Sequence, residues 1–374
     1  MGKLFCVLVS IACIGFLVYM NVNDRTRIQQ KAEEVEAINE DTREAEKEIA
    51  QAEAEEKAAE LAEKEANDSF YQKLADRFDA RILVIGDTNA QGFGASSDET
   101  AWFSLLKKSI EDKYGVKVHV DNNSVIDSGA YASYAKVKMM EDSQDYDLVI
   151  ICTGAADSEE NLPVYYEALL RAIQGKIPNC NVITIQEYME GDNNSKNMAI
   201  LNLSNAYHAQ TVDMYSKILT DPAPYVFEGG YLNDEGHRLY AEGVFSEIQR
   251  NVKSGTGFEP GPERTVYTDT EKFDDFLYVP AENFTRTDRQ YAMERSFTGI
   301  VAFDFDVLPG DNKVDVYVDR VKVSSYVVTN TIETPVEHIE LIEGELSPGR
   351  RIGVVFSTTE SADSFRGMML TMTE

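Results

Sequence analysis

The hydrophobic positions of the chain fall into four successive patterns. An uncharged apolar run at residues 4–20 is followed by a long charged stretch with heptad spacing. From residue 78 to residue 253, short apolar runs alternate with segments whose apolar residues recur every three or four positions. After residue 266, apolar and polar residues alternate one by one. These patterns predict, in chain order, two helical segments, an α/β domain and an all-β domain.

The apolar run predicts a transmembrane anchor over residues 1–23. About 17 uncharged residues are near the minimum that a helix needs to cross a bilayer. The alternatives are a cleaved signal peptide, with a small-x-small site at residues 10–12, and a lipoprotein modified at Cys13. Both would leave the apolar residues 14–20 on the mature chain without a purpose. Since a long C-terminal part is translocated largely regardless of charge, we expect a single-pass membrane protein with its folded domains on the extracellular side.

Residues 24–69 form a predicted helical stalk. Glu, Ala, Lys and Gln predominate between residues 28 and 66, where neither Gly nor Pro occurs, and these residues favour helix. Ile28, Val35, Thr42 and Ile49 recur every seven positions, and a second, mostly alanine series lies three residues further on. This thin seam fits a solvated single helix or a weak coiled coil, and the coiled coil would make the protein a homodimer.

The predicted α/β domain spans residues 78–253. Its strands are predicted at residues 81–85, 116–120, 146–152 and 181–185, and its helices at residues 102–114, 163–174, 198–219 and 233–252. The alternation predicts a three-layer, flavodoxin-like domain with a parallel sheet. Sites in such sheets form at the carboxyl ends of the strands. Here those ends carry Gly-Asp-Thr at residues 86–88 and Gly-Ala-Ala-Asp at residues 154–157.

A linker rich in Gly and Pro, residues 254–265, leads to the last domain, residues 266–374. The period of two in this domain, for example at residues 301–307, predicts a β-sandwich. The pattern loosely resembles the jelly-roll modules attached to carbohydrate esterases. Six aromatic residues of this domain either stack on sugar rings or belong to its core: Tyr267, Phe273, Phe276, Tyr278, Phe284 and Tyr291.

The charge balance excludes several kinds of partner. The chain has 374 residues, of which 65 are acidic and 35 basic, and its net charge is −30. This excess of acid disfavours binding to nucleic acids and electrostatic docking on anionic lipids. The 4 cysteines are too few for a disulfide scaffold and lack the spacing of a metal site. We therefore expect no metal, no cofactor and no nucleic-acid partner.

Four ordered blocks between residues 80 and 252 resemble the SGNH (GDSL) hydrolases. The first block is a hydrophobic strand, Gly-Asp-Thr, a glycine-bearing loop and a Trp-x-x-Leu helix that begins at Trp102. The second block ends at Gly129, and the third is a strand followed by residues 154–157. The resemblance implies an esterase-type fold with an oxyanion or ligand pocket formed by Asp87, Gly129, Gly154, Ala156 and Asp157.

The sequence departs from the family at positions that carry its chemistry. The family's nucleophilic serine is Thr88 here, and the β-methyl group of threonine restricts the hydroxyl. The family's oxyanion asparagine is Ala156, whose side chain has no donor. Loss of one oxyanion donor typically costs about 10²–10³ in rate. These departures predict an impaired catalytic site.

The fourth block aligns in two registers. In the first, Asp234 and His237 supply the Asp-x-x-His dyad of the family. In the second, Asn233 is the N-cap of the last helix, and Glu228 and Tyr231 stand at the dyad positions. Helix chemistry favours the second register, because acidic residues follow Asn233 in the first turn. The base would then be a tyrosine, whose pKa of about 10 makes it a poor proton acceptor at neutral pH.

Three functions fit these residues. The favoured hypothesis is a membrane-anchored, cell-surface protein with a degraded SGNH site, which binds or scaffolds a surface glycan or a cell-envelope protein that modifies it. The alternative is an active esterase that removes acyl groups from a surface polysaccharide, with Thr88 as nucleophile and the pair Asp234 and His237 as its dyad. A purely structural stalk protein would have no pocket at Thr88. The position of the His237 ring relative to the Thr88 hydroxyl distinguishes the first two.

Overall fold

The computed structural model describes residues 2–140, 145–191, 193–227, 229–267, 276–330, 333–342 and 348–371. Inside its helices and strands, the side chains of residues 2–9, 37, 38, 41, 45 and 300 are not described. The chain divides into two compact units, Met1–Asn67 and Asp68–Glu374. The α/β and all-β parts of the sequence therefore belong to one unit.

The first unit is a single helix, α1, Gly2–Asn67. It runs without a break through the segments predicted as anchor and stalk. The seam residues Ile28, Val35 and Ile49 are exposed on it. Within the described part of the chain, no helix is both long and apolar enough to cross a membrane. The structure thus gives no support to the anchor predicted over residues 1–23, whose first nine side chains lie outside the description.

The second unit opens with a parallel sheet of five strands in the order β2-β1-β3-β4-β5. The strands are β1 Ala80–Gly86, β2 Val118–Asn122, β3 Leu148–Cys152, β4 Asn181–Gln186 and β5 Gln210–Asp213. The helices are α2 Phe70–Asp76, α3 Thr88–Gln91, α4 Trp102–Tyr114, α5 Ala130–Met139, α6 Leu162–Lys176, α7 Asn194–Ala206, α8 Tyr215–Leu219 and α9 Asp234–Ser254. This is the predicted α/β architecture with a parallel sheet.

Helices cover both faces of the sheet. Leu83 and Ile85 of β1 belong to one core cluster together with α5, α6 and α7, whereas Ile82 and Val84 belong to another with α2, α4 and α9. Burial on both faces explains why the strands are continuous apolar runs in the sequence.

The helix predicted at residues 198–219 is wrong in its second half. The chain leaves the helix at Ala206, passes through a left-handed conformation at His208 (φ 56°) and forms β5 before α8. Strand β5 pairs in parallel with β4, from Ile183 opposite Gln210 to Gln186 opposite Asp213. Pairing with the sheet edge therefore outweighs the helical spacing of this segment.

The rest of the second unit consists of two antiparallel sheets, with strand orders β11-β10-β13-β8-β7 and β12-β9-β14-β6. The strands are β6 Leu277–Pro280, β7 Thr285–Thr287, β8 Gln290–Phe297, β9 Gly299–Val307, β10 Gly310–Val318, β11 Val321–Asn330, β12 Val336–Leu341, β13 Gly349–Phe356 and β14 Phe365–Thr371. A short helix, α10, Thr359–Asp363, precedes β14. Buried residues of both sheets form a common core, as in a β-sandwich.

The aromatic residues considered for sugar stacking pack inside the second unit. Phe284 and Tyr291 are buried in the sandwich core. Tyr267, Phe276 and Tyr278 pack against the cluster formed with α5 and α6. The sixth, Phe273, lies outside the described residues. The five described aromatics therefore have a structural role.

Candidate active site

A pocket of about 350 Å³ opens at the carboxyl ends of β1, β3 and β4. Thr88 lines it from the segment after β1, Ala155 and Ala156 from the loop after β3, and Tyr231 from the loop before α9. This is the edge at which sites form in parallel sheets. A pocket at Thr88 argues against the purely structural hypothesis.

Thr88 begins α3 and is 7% exposed. Its hydroxyl donates to Asp127 Oδ1 at 3.1 Å and accepts from the backbone N–H of Asp127 at 2.8 Å. Asp127 adopts a left-handed conformation (φ 50°), which presents both groups to the same hydroxyl. The side chain that the Thr88 hydroxyl contacts is thus a carboxylate that the sequence analysis did not single out.

His237 is not among the residues that line this pocket. Its ring is fully buried in α9, and Nε2 lies 3.1 Å from the backbone carbonyl oxygen of Phe93. Within the described part of the chain, Nδ1 has no hydrogen-bond partner. Burial lowers the pKa of His237 by disfavouring the imidazolium. Since the ring does not line the pocket, it is not positioned as the base of Thr88.

Asp234 has a structural contact instead of a catalytic one. It is exposed, and Oδ1 accepts hydrogen bonds from the backbone N–H of Ser96 at 2.8 Å and from the Thr100 hydroxyl at 3.0 Å. The bonds from Ser96, more than any other contact, lower the pKa of Asp234. Asn233 caps α9 by accepting from the Gly236 N–H at 3.0 Å. These contacts agree with the second register of the fourth block.

Tyr231, which the second register places at the position of the base, lines the pocket. Its ring packs edge-on against Phe93, with 5.0 Å between the ring centroids. Burial raises the pKa of Tyr231, and the negative charge of Asp127 raises it further. A phenol that holds its proton so firmly is a poor general base. Glu228, which would complete this pair, lies outside the described residues.

Two of the predicted oxyanion residues, Gly129 and Asp157, lie next to each other. A Cβ atom on Gly129 would meet the carboxylate of Asp157, which would have to move to make room for it. Asp157 Oδ2 accepts from the N–H of Ala130 at 2.8 Å. Desolvation raises the pKa of Asp157 to about 6 although this hydrogen bond opposes the shift. Gly154 has a φ of 133°, and Ala156 is exposed.

Glu187 accepts hydrogen bonds from two of the loops that line the pocket. It is fully buried directly after β4; Oε2 accepts from Asn89 Nδ2 at 3.1 Å and Oε1 accepts from the N–H of Ala155 at 3.0 Å. Asn89 Oδ1 in turn accepts from the N–H of Leu232 at 3.3 Å. One carboxylate therefore links the loops after β1 and β3 and, through Asn89, the loop that carries Tyr231.

Glu187 was not predicted as a site residue, although the sequence contains a signal for it. Gln186 and Glu187 end an apolar strand at the same edge as the Asp87 loop, and an acidic residue at that place is unusual in a buried sheet. The loop after β4 also contributes Tyr188, Glu190 and Asn193 to the pocket. These groups provide an aromatic face, an acceptor and an amide, which together suit recognition of hydroxyl groups.

Lys196 of α7 adds a cation to the pocket. Its Nζ donates to the carbonyl oxygen of Ala155 at 3.1 Å, and its charge opposes the upward pKa shift of Asp157. The pocket-lining residues of the described chain include no histidine. The site can therefore hydrogen-bond a polar ligand, but it lacks the imidazole base of an SGNH hydrolase.

No family model and no curated protein matches this sequence. Two solved structures of a two-domain esterase active on acetylated mannans resemble the chain. One has a TM-score of 0.62 at 15% identity and covers 81% of this chain and 94% of its own. The other, co-crystallized with mannopentaose, has a TM-score of 0.61 at 14% identity and covers 81% and 93%. Identity this low shows the fold alone. The prediction of an esterase-type α/β fold followed by a C-terminal β module is confirmed.

Proposed function

We propose that this chain is a glycan-binding protein with an esterase fold and a degraded catalytic site. One observation carries the proposal: the imidazole of His237 contacts the carbonyl oxygen of Phe93, while Tyr231 lines the pocket beside Thr88. We infer from this that a tyrosine stands where the family has its base. Its raised pKa keeps the phenol protonated at neutral pH.

The departures from the family pattern each reduce the expected rate of hydrolysis. A positioned general base typically contributes about 10²–10⁴ in rate, and one oxyanion donor contributes about 10²–10³. The site lacks the imidazole base, and Ala156 offers no side-chain donor. We therefore infer that the pocket retains the shape needed for binding and has lost efficient turnover.

The proposed ligand is an acetylated polysaccharide. The two-domain esterase that shares this fold is active on acetylated mannans. The pocket offers two tyrosine rings, Tyr188 and Tyr231, for the apolar faces of sugars, and Glu190, Asn193 and Lys196 for their hydroxyl and acetyl oxygens. The membrane anchor, the cell-surface location and a homodimer through the stalk remain predictions from the sequence.

We expect the full-length protein to bind acetylated manno-oligosaccharides in isothermal titration calorimetry. Tyr231→Ala should weaken binding at least about fivefold, because it removes a stacking surface worth about 1 kcal/mol or more. Tyr317→Ala, a half-buried tyrosine on the outer face of the sandwich, is the matched control and should bind like the wild type. Equal binding by wild type and Tyr231→Ala, or no binding at all, would contradict the proposal.

One specific contact supports a second candidate function, esterase activity. The Thr88 hydroxyl donates to the Asp127 carboxylate at 3.1 Å, and a nucleophile needs a base within this reach. An esterase that uses Thr88 with Asp127 would remove acyl groups from the same polysaccharide. The two functions differ in whether acetate is released, and measuring acetate release from acetylated mannan distinguishes them.

A further inference from the structure

Three side chains meet beneath the pocket at the ends of three adjacent strands. Asp87 follows β1, Cys152 ends β3 and Glu187 follows β4. Their exposed fractions are 3%, 0% and 0%, and their acidic atoms lie within 4.8 Å of one another. Cys152 Sγ is 3.8 Å from Glu187 Oε2. Two carboxyl groups are thus buried together in the interior.

The hydrogen bonds of the two carboxyl groups differ. Both oxygens of Glu187 accept hydrogen bonds, from Asn89 and Ala155. Asp87 Oδ1 accepts from the N–H of Asn89 at 3.1 Å, whereas Oδ2 has no partner and is shielded from solvent. Across the described residues, neither carboxyl group has a hydrogen bond or an ion pair with a lysine, arginine or histidine. A buried oxygen without a donor is costly unless it carries a proton of its own.

We propose that Asp87 and Glu187 share one proton and that the pair positions the loops of the pocket. The proton resides on Asp87, since Glu187 already accepts from two donors and is better stabilised as a carboxylate. Asp87 then donates to Glu187, and the pair carries one negative charge instead of two. Burial and the nearby charge of Glu187 raise the pKa of Asp87 well above its ordinary range, which agrees with this assignment.

The shared proton has a consequence for the pocket. Glu187 holds Asn89 and Ala155, and Asp87 lines the pocket next to Thr88. Loss of the proton would place two carboxylates side by side in a low-dielectric environment, where like charges repel strongly. The loops after β1, β3 and β4 would then separate. Asp87 and Glu187 are therefore positioning residues.

Other titrating groups surround the pair. Cys152 ends β3, and Asp157 lies in the loop that follows it. Tyr166 comes from α6 and Tyr240 from α9, and Lys196 of α7 is a cation near Asp157. Burial raises the pKa of the Cys152 thiol and of both tyrosines, which keeps them neutral over the same pH range. Asp157 ionises near pH 6, so it adds a negative charge above that pH.

The stability of the folded protein should depend on pH, because the folded and unfolded states bind this proton with different affinity. An aspartate titrates at about pH 3.9 in the unfolded chain, and in the folded protein the raised pKa of Asp87 keeps its proton on. The folded state therefore binds more protons than the unfolded state above pH 4. The contribution of Asp87 to the free energy of unfolding is therefore greatest below that pH, and it falls as the pH rises towards the raised pKa.

Asp87→Asn tests the proposal in the full-length protein. The amide donates to Glu187 as the protonated acid does, but it cannot ionise. Between pH 5 and 9, we expect the wild-type melting temperature to fall relative to that of Asp87→Asn by roughly 2–4 °C per pH unit until the raised pKa is reached. Asp213→Asn, which changes an exposed aspartate at the end of β5, should parallel the wild type. Subtracting the profiles removes His237 and the other groups common to all three proteins.

A spectroscopic measurement covers the case in which Asp87→Asn does not fold. At pH 8, above the pKa of about 6 of Asp157 and Asp304, the infrared spectrum of the wild type should contain the C=O stretch of a protonated carboxyl, which disappears on unfolding. Absence of this band, or parallel melting profiles for wild type and Asp87→Asn, would overturn the proposal. So would a stoichiometric metal ion that is lost in Cys152→Ser. None of these outcomes depends on what the pocket binds.

Discussion

The triple variant Thr88→Ser, Ala156→Asn and Tyr231→His is expected to hydrolyse p-nitrophenyl acetate at least about 10²-fold faster than the wild type. The serine removes the β-methyl group that restricts the hydroxyl. The asparagine restores an oxyanion donor worth about 10²–10³ in rate. The histidine places an imidazole, with a pKa of about 6.5, on the pocket side of the loop before α9.

This gain depends on geometry that the wild type already has. The backbone at Thr88 begins α3, Ala156 is exposed at the pocket, and Tyr231 lines the pocket. The matched control carries Thr88→Ala with the same two other substitutions and should remain at the wild-type rate. If both triple variants are equally slow, the fourth block does not place Tyr231 at the base position.

Gly86→Ala is expected to destabilise the second unit severely. A Cβ atom on Gly86 would lie 1.8 Å from the carbonyl oxygen of Cys152, and φ at this position is 152°. That oxygen belongs to the backbone of β3 and accepts from the N–H of Asp87 at 3.0 Å, so it cannot move aside without breaking the β1–β3 pairing. We expect a loss of about 4 kcal/mol or more, which is exceptional for one methyl group.

Gly115→Ala is the matched control for this prediction. Gly115 also has a positive φ, 71°, but nothing lies within 4 Å of its Cβ position. It should cost only the strain of a left-handed alanine, about 1 kcal/mol. Urea unfolding followed by circular dichroism measures both variants. Equal losses for Gly86→Ala and Gly115→Ala would show that the close approach of β1 and β3 does not limit this position.

The sequence contained most of the architecture because its patterns are local. Buried parallel strands are continuous apolar runs, and the sandwich strands alternate, so both domains could be predicted. Strand β5 could not, because Gln210–Asp213 is short and its conformation depends on pairing with β4. The structure also leaves the anchor at residues 1–23 without support.

The candidate site could be predicted in part. Thr88 and Tyr231 were found through the order of the family blocks, and both line the pocket. Asp127 and Glu187 were missed, because their contacts with Thr88 and Asn89 join residues that are far apart in the sequence. The N-cap at Asn233 favoured the second alignment of the fourth block over the first. This could be predicted because a cap is a local feature that helix chemistry determines.

The most direct test of the account is the release of acetate from acetylated mannan by the full-length wild type, beside Thr88→Ala, Asp127→Asn and His237→Gln. The account predicts that the wild type releases no more acetate than Thr88→Ala. Turnover that disappears in both Thr88→Ala and Asp127→Asn would contradict it and establish an esterase with a threonine nucleophile. Turnover that also disappears in His237→Gln would restore the first register of the fourth block.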